Sequence, residues 1–306
     1  AEGFESVIGD LEACYDLRQD AANGVAPFRA DPRKRAFHRR LMEAAGDETH
    51  VTVTRVGAQT VAGLWGQRSG DVLHLGLLFH SPLLAEHSPG KLHVMRLSEH
   101  LLREGFTTLD LTPGGDPWKE RFANAHDVVA EIVLHASPLS RLRTVWTGRL
   151  RRVARRVLSR VGITPERVRK VAARLQPDLV STAWGRARRW WGETREFRAY
   201  RMDRAAFAAA PSDARIHRND LTHLLAFTPS ERWHRRREFL GAAMERLEAG
   251  QAVYTACMEG RLAHFGWLAL RQTQARLTEV DYVMPLPPGS ATMYDFYTHP
   301  EDRGQG

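Results

Sequence analysis

The distribution of positive charge constrains this chain more than any other feature. Residues 138–195 hold 16 Lys or Arg against three acids (Glu166, Asp178 and Glu193), a local +13 in a chain whose total is +8. The rest therefore sums to −5, and the basic segment divides 306 residues into two halves of domain size. Within it Leu142, Val145, Trp146, Leu150, Val153, Val157, Leu158 and Val161 recur at helical spacing. Arg143, Arg151, Arg152, Arg155, Arg156 and Arg160 fall largely on other faces. Gly162 ends this helix, Thr164-Pro165 starts a second, and Pro177 stops that one. A basic amphipathic helical linker has three readings: packing on a neighbouring domain, lying on an anionic membrane surface, or gripping phosphates. Trp184, Trp190 and Trp191, interleaved with Arg186, Arg188 and Arg189, suit an interfacial anchor as well as a domain contact. No ribonucleoprotein motif, zinc-finger spacing or helix-turn-helix accompanies the charge, which argues against nucleic acid as the partner.

A composition of 43% hydrophobic and 26% charged residues excludes disorder, a collagen-like chain and a disulfide scaffold. No apolar run reaches the roughly 18 residues of a membrane span, and Ala1–Asp10 lacks the layout of a signal peptide. The expected location is cytoplasmic, with peripheral attachment to the inner membrane face through residues 138–195. Cys14 and Cys257 match no metal spacing and read as buried structural thiols. The chain begins at Ala1 and stops within Arg303-Gly304-Gln305-Gly306, so we read it as a fragment truncated at its C-terminal end.

Both halves show α+β patterning. In the first, a helix precedes three strand-like segments, His50–Val56, Gln59–Gln67 and Val72–Phe79, joined by glycine-bearing turns. Ser88-Pro89-Gly90 opens a helix carrying Val94, Leu97 and Leu101, and Gly105 closes it. A short strand at Thr107–Thr112, a short helix around Trp118, Lys119 and Phe122, and a strand at Val128–Leu134 complete this half. In the second, a strand at Phe197–Met202 precedes helices at Asn219–Phe227 and Ser230–Leu247. Strands at Ala252–Met258, Leu262–Leu270, Arg276–Met284 and Ala291–Thr298 follow.

Ser88-Pro89-Gly90-Lys91-Leu92, Leu109-Asp110-Leu111 and the run Gly114-Gly115-Asp116-Pro117-Trp118-Lys119-Glu120-Arg121-Phe122 resemble the CelD/BcsL-type acyltransferases, relatives of the FemAB transferases, over roughly Phe37 to Ala136. Trp118 stands where tyrosine is commoner. Met293 to Gly306 resembles motif A of the GNAT acetyltransferases: a strand runs into a loop of form Arg/Gln-x-x-Gly-x-Gly/Ala, with Arg303 and Gly306 at its first and fourth positions. Glycines there let backbone N–H groups converge on a pyrophosphate, and a helix N-terminus adds its dipole.

These resemblances imply tandem GNAT-like α+β domains: an acyltransferase lobe (1–137), the basic helical linker (138–195) and a truncated acetyltransferase domain (196–306). They imply an acyltransferase moving an acetyl group from acetyl-CoA to an amine or hydroxyl, on a saccharide of an envelope polysaccharide or its precursor. Phe296, Tyr297 and Thr298 would pair with the pantetheine arm, while Arg303, Gly304, Gln305 and Gly306 hold the phosphates. Lys119 and Asp110 would bind acceptor or donor. Glu279, Asp281 and Asp295 are the general-base candidates, since a carboxylate facing a cleft can have a raised pKa. No metal is expected. The alternative is a non-catalytic protein that binds a membrane surface or nucleic acid on GNAT-like scaffolds.

Overall fold

The computed structural model describes residues 2–114, 116–130, 137, 138, 146, 200, 213–229, 235–277 and 282–304. Residues 1–125 and 208–306 make one compact unit, and residues 126–207 a second. Apart from Pro138, Trp146 and Tyr200, the expected linker helices and the strand at Phe197–Met202 lie outside the described residues. Val128–Ala130, the start of another expected strand, is irregular. No helix among the described residues is long and apolar enough to cross a membrane.

The first unit holds two four-stranded sheets, an α+β arrangement. Helices α1 (Glu2–Asn23), α2 (Pro27–Ala30) and α3 (Pro32–Ala44) precede strands β1 (Thr49–Val56), β2 (Gln59–Ser69) and β3 (Val72–His80). These strands form the expected antiparallel meander. Helix α4 (Pro89–Arg103) follows, and β4 (Thr108–Asp110) pairs in parallel with β3. The second sheet contains β5 (His217–Arg218), β6 (Ala252–Met258), β7 (Arg261–Leu277) and β8 (Tyr282–Thr298), all antiparallel neighbours in that order. Helices α5 (Leu221–Leu225) and α6 (Arg236–Glu248) pack with it.

One expectation is corrected here. Arg276–Met284 is not a strand of its own, because Arg276 and Leu277 end β7 while Tyr282–Met284 begin β8. Leu277 faces Tyr282 and Arg276 faces Val283 across the pair. Extended backbone continues past Leu270 as an exposed ribbon, so the fall in hydrophobicity marks where the core ends and not where the strand ends.

Residue Gly76 divides β3 into two halves with opposite faces. Trp65 lies opposite Leu77 and Gly66 opposite Leu75, so Gly76 is the extra residue of a bulge. An extra residue inverts the alternation of side chains. Leu73 and Leu75 accordingly join Leu97 and Leu101 of α4, whereas Leu77 and Phe79 join Val7 and Leu11 of α1. Farther along α1, Leu17 enters the core of the second sheet with Leu240, Val253, Phe265 and Trp267. The first helix therefore contributes to both cores.

His93 pins α4 to β1, its ring nitrogens lying 3.1 Å from Thr52 Oγ1 and 2.9 Å from Thr54 Oγ1. Burial, with a smaller contribution from His50, lowers its pKa to about 4, and burial with Arg18 lowers His80 to about 4 as well. A depressed histidine pKa leaves stability intact above the unfolded value of roughly 6.5 and withdraws it as pH falls toward the folded value. At about 1.4 kcal/mol per pKa unit, each ring removes up to about 3 kcal/mol by pH 4. Denaturant midpoints should thus fall between pH 6.5 and 4, and less steeply in His93→Gln. Equal slopes in the two proteins would contradict the neutral burial of this ring.

Candidate functional site

The parallel pairing of β3 with β4 lasts three residues, with Val72, Leu73 and His74 facing Thr108, Leu109 and Asp110. Past that point β4 ends, and the edge of β3 from Leu75 onward has no strand beside it among the described residues. His74 and Asp110 stand at the apex. His74 Nδ1 lies 2.8 Å from Asp110 Oδ2, and Asp110 Oδ1 accepts the backbone N–H of Thr112 at 2.8 Å. The hydrogen bonds from His74 and Thr112, with the charge of Lys119 adding to them, hold the Asp110 carboxyl below its usual range. An ionised Asp110 accepts only, so Nδ1 carries the proton and Nε2 is left as a base. Both side chains are partly exposed.

The loop after Asp110 is closed by Lys119, whose ammonium donates to the carbonyls of Thr112 (3.2 Å) and Pro113 (3.4 Å) and lies 3.5 Å from Asp116. The Lys119 side chain is largely buried. The segment Lys119–Arg121 is a single 3-10 turn where sequence patterning predicts a short helix.

In the second sheet, Phe265 pairs with Tyr297 and Trp267 with Tyr294, so β8 uses one residue more than β7 between these pairs. Asp295, at φ 51°, occupies this bulge. Its carboxylate bonds Arg246 at 2.5 Å, and Arg246 lies over the rings of Trp267 and Tyr294. Tyr297 is buried against Phe265, Phe296 is exposed, and Thr298 Oγ1 lies 2.8 Å from His264 Nδ1. Arg303 Nε donates to the Thr298 carbonyl at 3.2 Å, and Gly304 has φ 80°. Glu279, Asp281, Gln305 and Gly306 lie outside the described residues. Among the described residues β8 lies at the edge of its sheet, and the bulge leaves one of its residues unpaired.

A cavity of about 750 Å3 opens where α1, the α2–α3 segment, the ends of β2 and β3, and α5 meet. Its charged lining comprises Asp10, Glu12, Asp16, Arg29, Arg35 and Asp220. Glu12, Asp16 and Asp20 follow one another at four-residue spacing along α1, and each is at most 6% exposed. Arg35 of α3 grips Glu12 in a bidentate pair. Asp16 accepts the backbone N–H groups of Phe28 (2.9 Å) and Arg29 (2.8 Å), and burial outweighs these bonds to raise its pKa. Arg236 of α6 donates to Asp20 at 2.8 Å and to the carbonyls of Phe227 and Leu225. Of the thiols, Cys14 is buried, with its pKa pushed up to about 12, and Cys257 is half-buried.

His74 was not among the candidates read from the sequence. Its one signal is a polar residue inside the run Val72-Leu73-His74-Leu75; nothing local ties it to Asp110, 36 positions away. The acidic ladder of α1 also escaped notice, although its i, i+4, i+8 spacing was available.

Residues 4–120 match the family model described as an acetyltransferase (GNAT) domain. The match runs from α1 through the Lys119 loop and so contains the β3–β4 apex. A GNAT domain of this kind is an acyl-transfer domain, and such domains generally use acetyl-CoA. No curated protein and no solved structure matches the chain.

The burial of Lys119 gives a direct test of its role in the loop. Lys119→Met should lower stability by about 1–3 kcal/mol, the cost of leaving loop carbonyls without their donor. An unchanged thermal unfolding curve would show that the ammonium does not hold this segment.

Proposed function

We propose that the chain transfers an acetyl group from acetyl-CoA to an amine or hydroxyl of a saccharide-type acceptor, with His74 as general base. The observation that carries this reading is the His74–Asp110 hydrogen bond at the point where parallel pairing stops, inside the segment that matches the acetyltransferase domain. The free edge of β3 from Leu75 offers backbone groups to the pantetheine arm, and the bulge at Gly76 removes one residue from the regular ladder. Acetyl-CoA supplies the thioester carbonyl. The acceptor N–H or O–H attacks that carbonyl carbon while His74 Nε2 takes its proton, and Asp110 stabilises the resulting imidazolium. The coenzyme A thiolate leaves as the C–S bond breaks and recovers that proton.

The polar cavity lies at the Gln59–Ser81 end of β2 and β3, away from His74, so it does not hold the acceptor of this step. The CelD/BcsL-like residues around Lys119 favour an envelope saccharide, and the +13 segment at 138–195 favours an anionic membrane surface as the place of work.

A second reading places the donor on β8, on the strength of the bulge at Asp295 and the Arg303-Gly304 turn. Kinetics on the two lobes separate them. Under the first, His74→Ala lowers kcat by roughly 10²–10⁴-fold, Asp110→Asn lowers it as well, and Arg303→Ala leaves acetyl-CoA binding unchanged. Under the second, Arg303→Ala weakens acetyl-CoA by about 1–3 kcal/mol and His74→Ala keeps full activity. Turnover of acetyl-CoA with saccharide amines but not with lysine peptides is the expected acceptor preference.

Attachment through residues 138–195 predicts co-sedimentation with vesicles that rises with anionic lipid and falls with salt, since each Lys or Arg near such a surface adds about 1 kcal/mol. Equal sedimentation with neutral vesicles would remove the membrane from this account.

A further inference from the structure

We propose that His217, Asp220 and His223 form a site for a divalent first-row transition cation. One ligand atom from each residue lies within 4.8 Å of the others. The set is two imidazoles and one carboxylate, a donor combination that suits zinc or iron and leaves coordination positions open for water or another ligand.

The hydrogen bonds around the cluster fix which nitrogen of His223 is available. Thr255, 1% exposed on β6, donates its hydroxyl hydrogen to the His217 carbonyl at 3.2 Å. The same hydroxyl lies 3.0 Å from His223 Nδ1. Having spent its one hydrogen, Thr255 Oγ1 accepts at that contact, so Nδ1 carries the proton and Nε2 presents a lone pair. Nε2 faces Asp220 Oδ2 at 3.7 Å. With His223 neutral, two acceptors face each other at a separation too long for a direct hydrogen bond, a gap that a cation bridges.

The distance suits a metal better than a direct hydrogen bond. Metal–ligand bonds of roughly 2.0–2.2 Å place neighbouring tetrahedral ligands about 3.3–3.6 Å apart. A small rotation of either side chain reaches that value from 3.7 Å.

The backbone carrying these residues is held from several sides. His217 pairs with Thr255 on β6. Asn219, at φ 57°, exchanges bonds with Val253: its N–H donates to the Val253 carbonyl at 2.8 Å, and its Oδ1 accepts the Val253 N–H at 2.9 Å. Asp220 commits Oδ1 to the N–H groups of Thr222 and His223, which aims Oδ2 at the imidazole. Thr255 is then the outer partner that orients a ligating histidine. Asp220 also belongs to the wall of the polar cavity, so the cation would add positive charge at its edge.

The test is titration of the metal-stripped full chain with Zn2+ in competition with a chromophoric chelator. The expected result is one equivalent bound, weakened at least tenfold in each of His217→Ala and Asp220→Asn, and about tenfold in Thr255→Val. His217 is exposed, so its truncation leaves the fold intact, and circular dichroism checks this for each variant. Co2+ should give visible absorption bands that His217→Ala abolishes. No uptake of Zn2+, or uptake with equal affinity in the His217 and Asp220 variants, would overturn the proposal.

Discussion

Everything in the first compact unit depends on how α1 buries three carboxylates. An ionised carboxylate taken out of water costs several kcal/mol unless it is paired and hydrogen-bonded. Glu12, Asp16 and Asp20 meet that condition with three different partners: a guanidinium from α3, two backbone N–H groups from the α2 turn, and a guanidinium from α6. Each acid thereby fixes a separate piece of chain against one helix. Arg236 extends the clamp by donating to the carbonyls of Leu225 and Phe227, where α5 ends. The apolar side of α1 does the same for the sheets, with Val7 and Leu11 against Phe79 of the first and Leu17 in the core of the second.

This arrangement explains why a polar cavity exists at all. Two sheets that share a helix cannot both press against every part of it, and the gap is bounded by the helix ends and loops that carry charge. Both oxygens of Asp16 accept backbone N–H groups, and burial still raises its pKa. Strands β3 and β8 each carry a bulge, and among the described residues each has an unpaired edge, β3 from Leu75 onward and β8 on the side away from β7. Bulges of this kind free backbone groups while keeping the strand in the sheet. The chemistry proposed here uses that property on β3, beside an imidazole held by a carboxylate.

Much of the local structure was legible from the residues. Strands β1, β2, β3 and β6 and helix α4 sit where alternation, turn glycines and the Ser88-Pro89-Gly90 start place them, although β2 is buried on both faces from Thr60 to Gly66 and β3 changes face at Gly76. The β7–β8 ribbon was not, since past Leu270 its strands leave the core and lose the apolar signal that marks strands. The α2–α3 segment has no buried residue in its longer helix, so periodicity says little there. The site was only partly readable. Asp110 was identified from the resemblance, but its partner His74 depends on parallel pairing between strands separated by a whole helix. Lys119 was expected to bind donor or acceptor, and its ammonium lies on the loop carbonyls of Thr112 and Pro113.

Helix α1 ties the two sheets into one cooperative body around the cavity. Native-state hydrogen exchange measured with increasing denaturant tests this most directly, because it reports the opening free energy of each strand. The amides of β2 and β3 and those of β6 and β7 should open with the same global free energy, and Asp20→Ala should lower both together. Two distinct global values, with Asp20→Ala lowering only the second sheet, would contradict it.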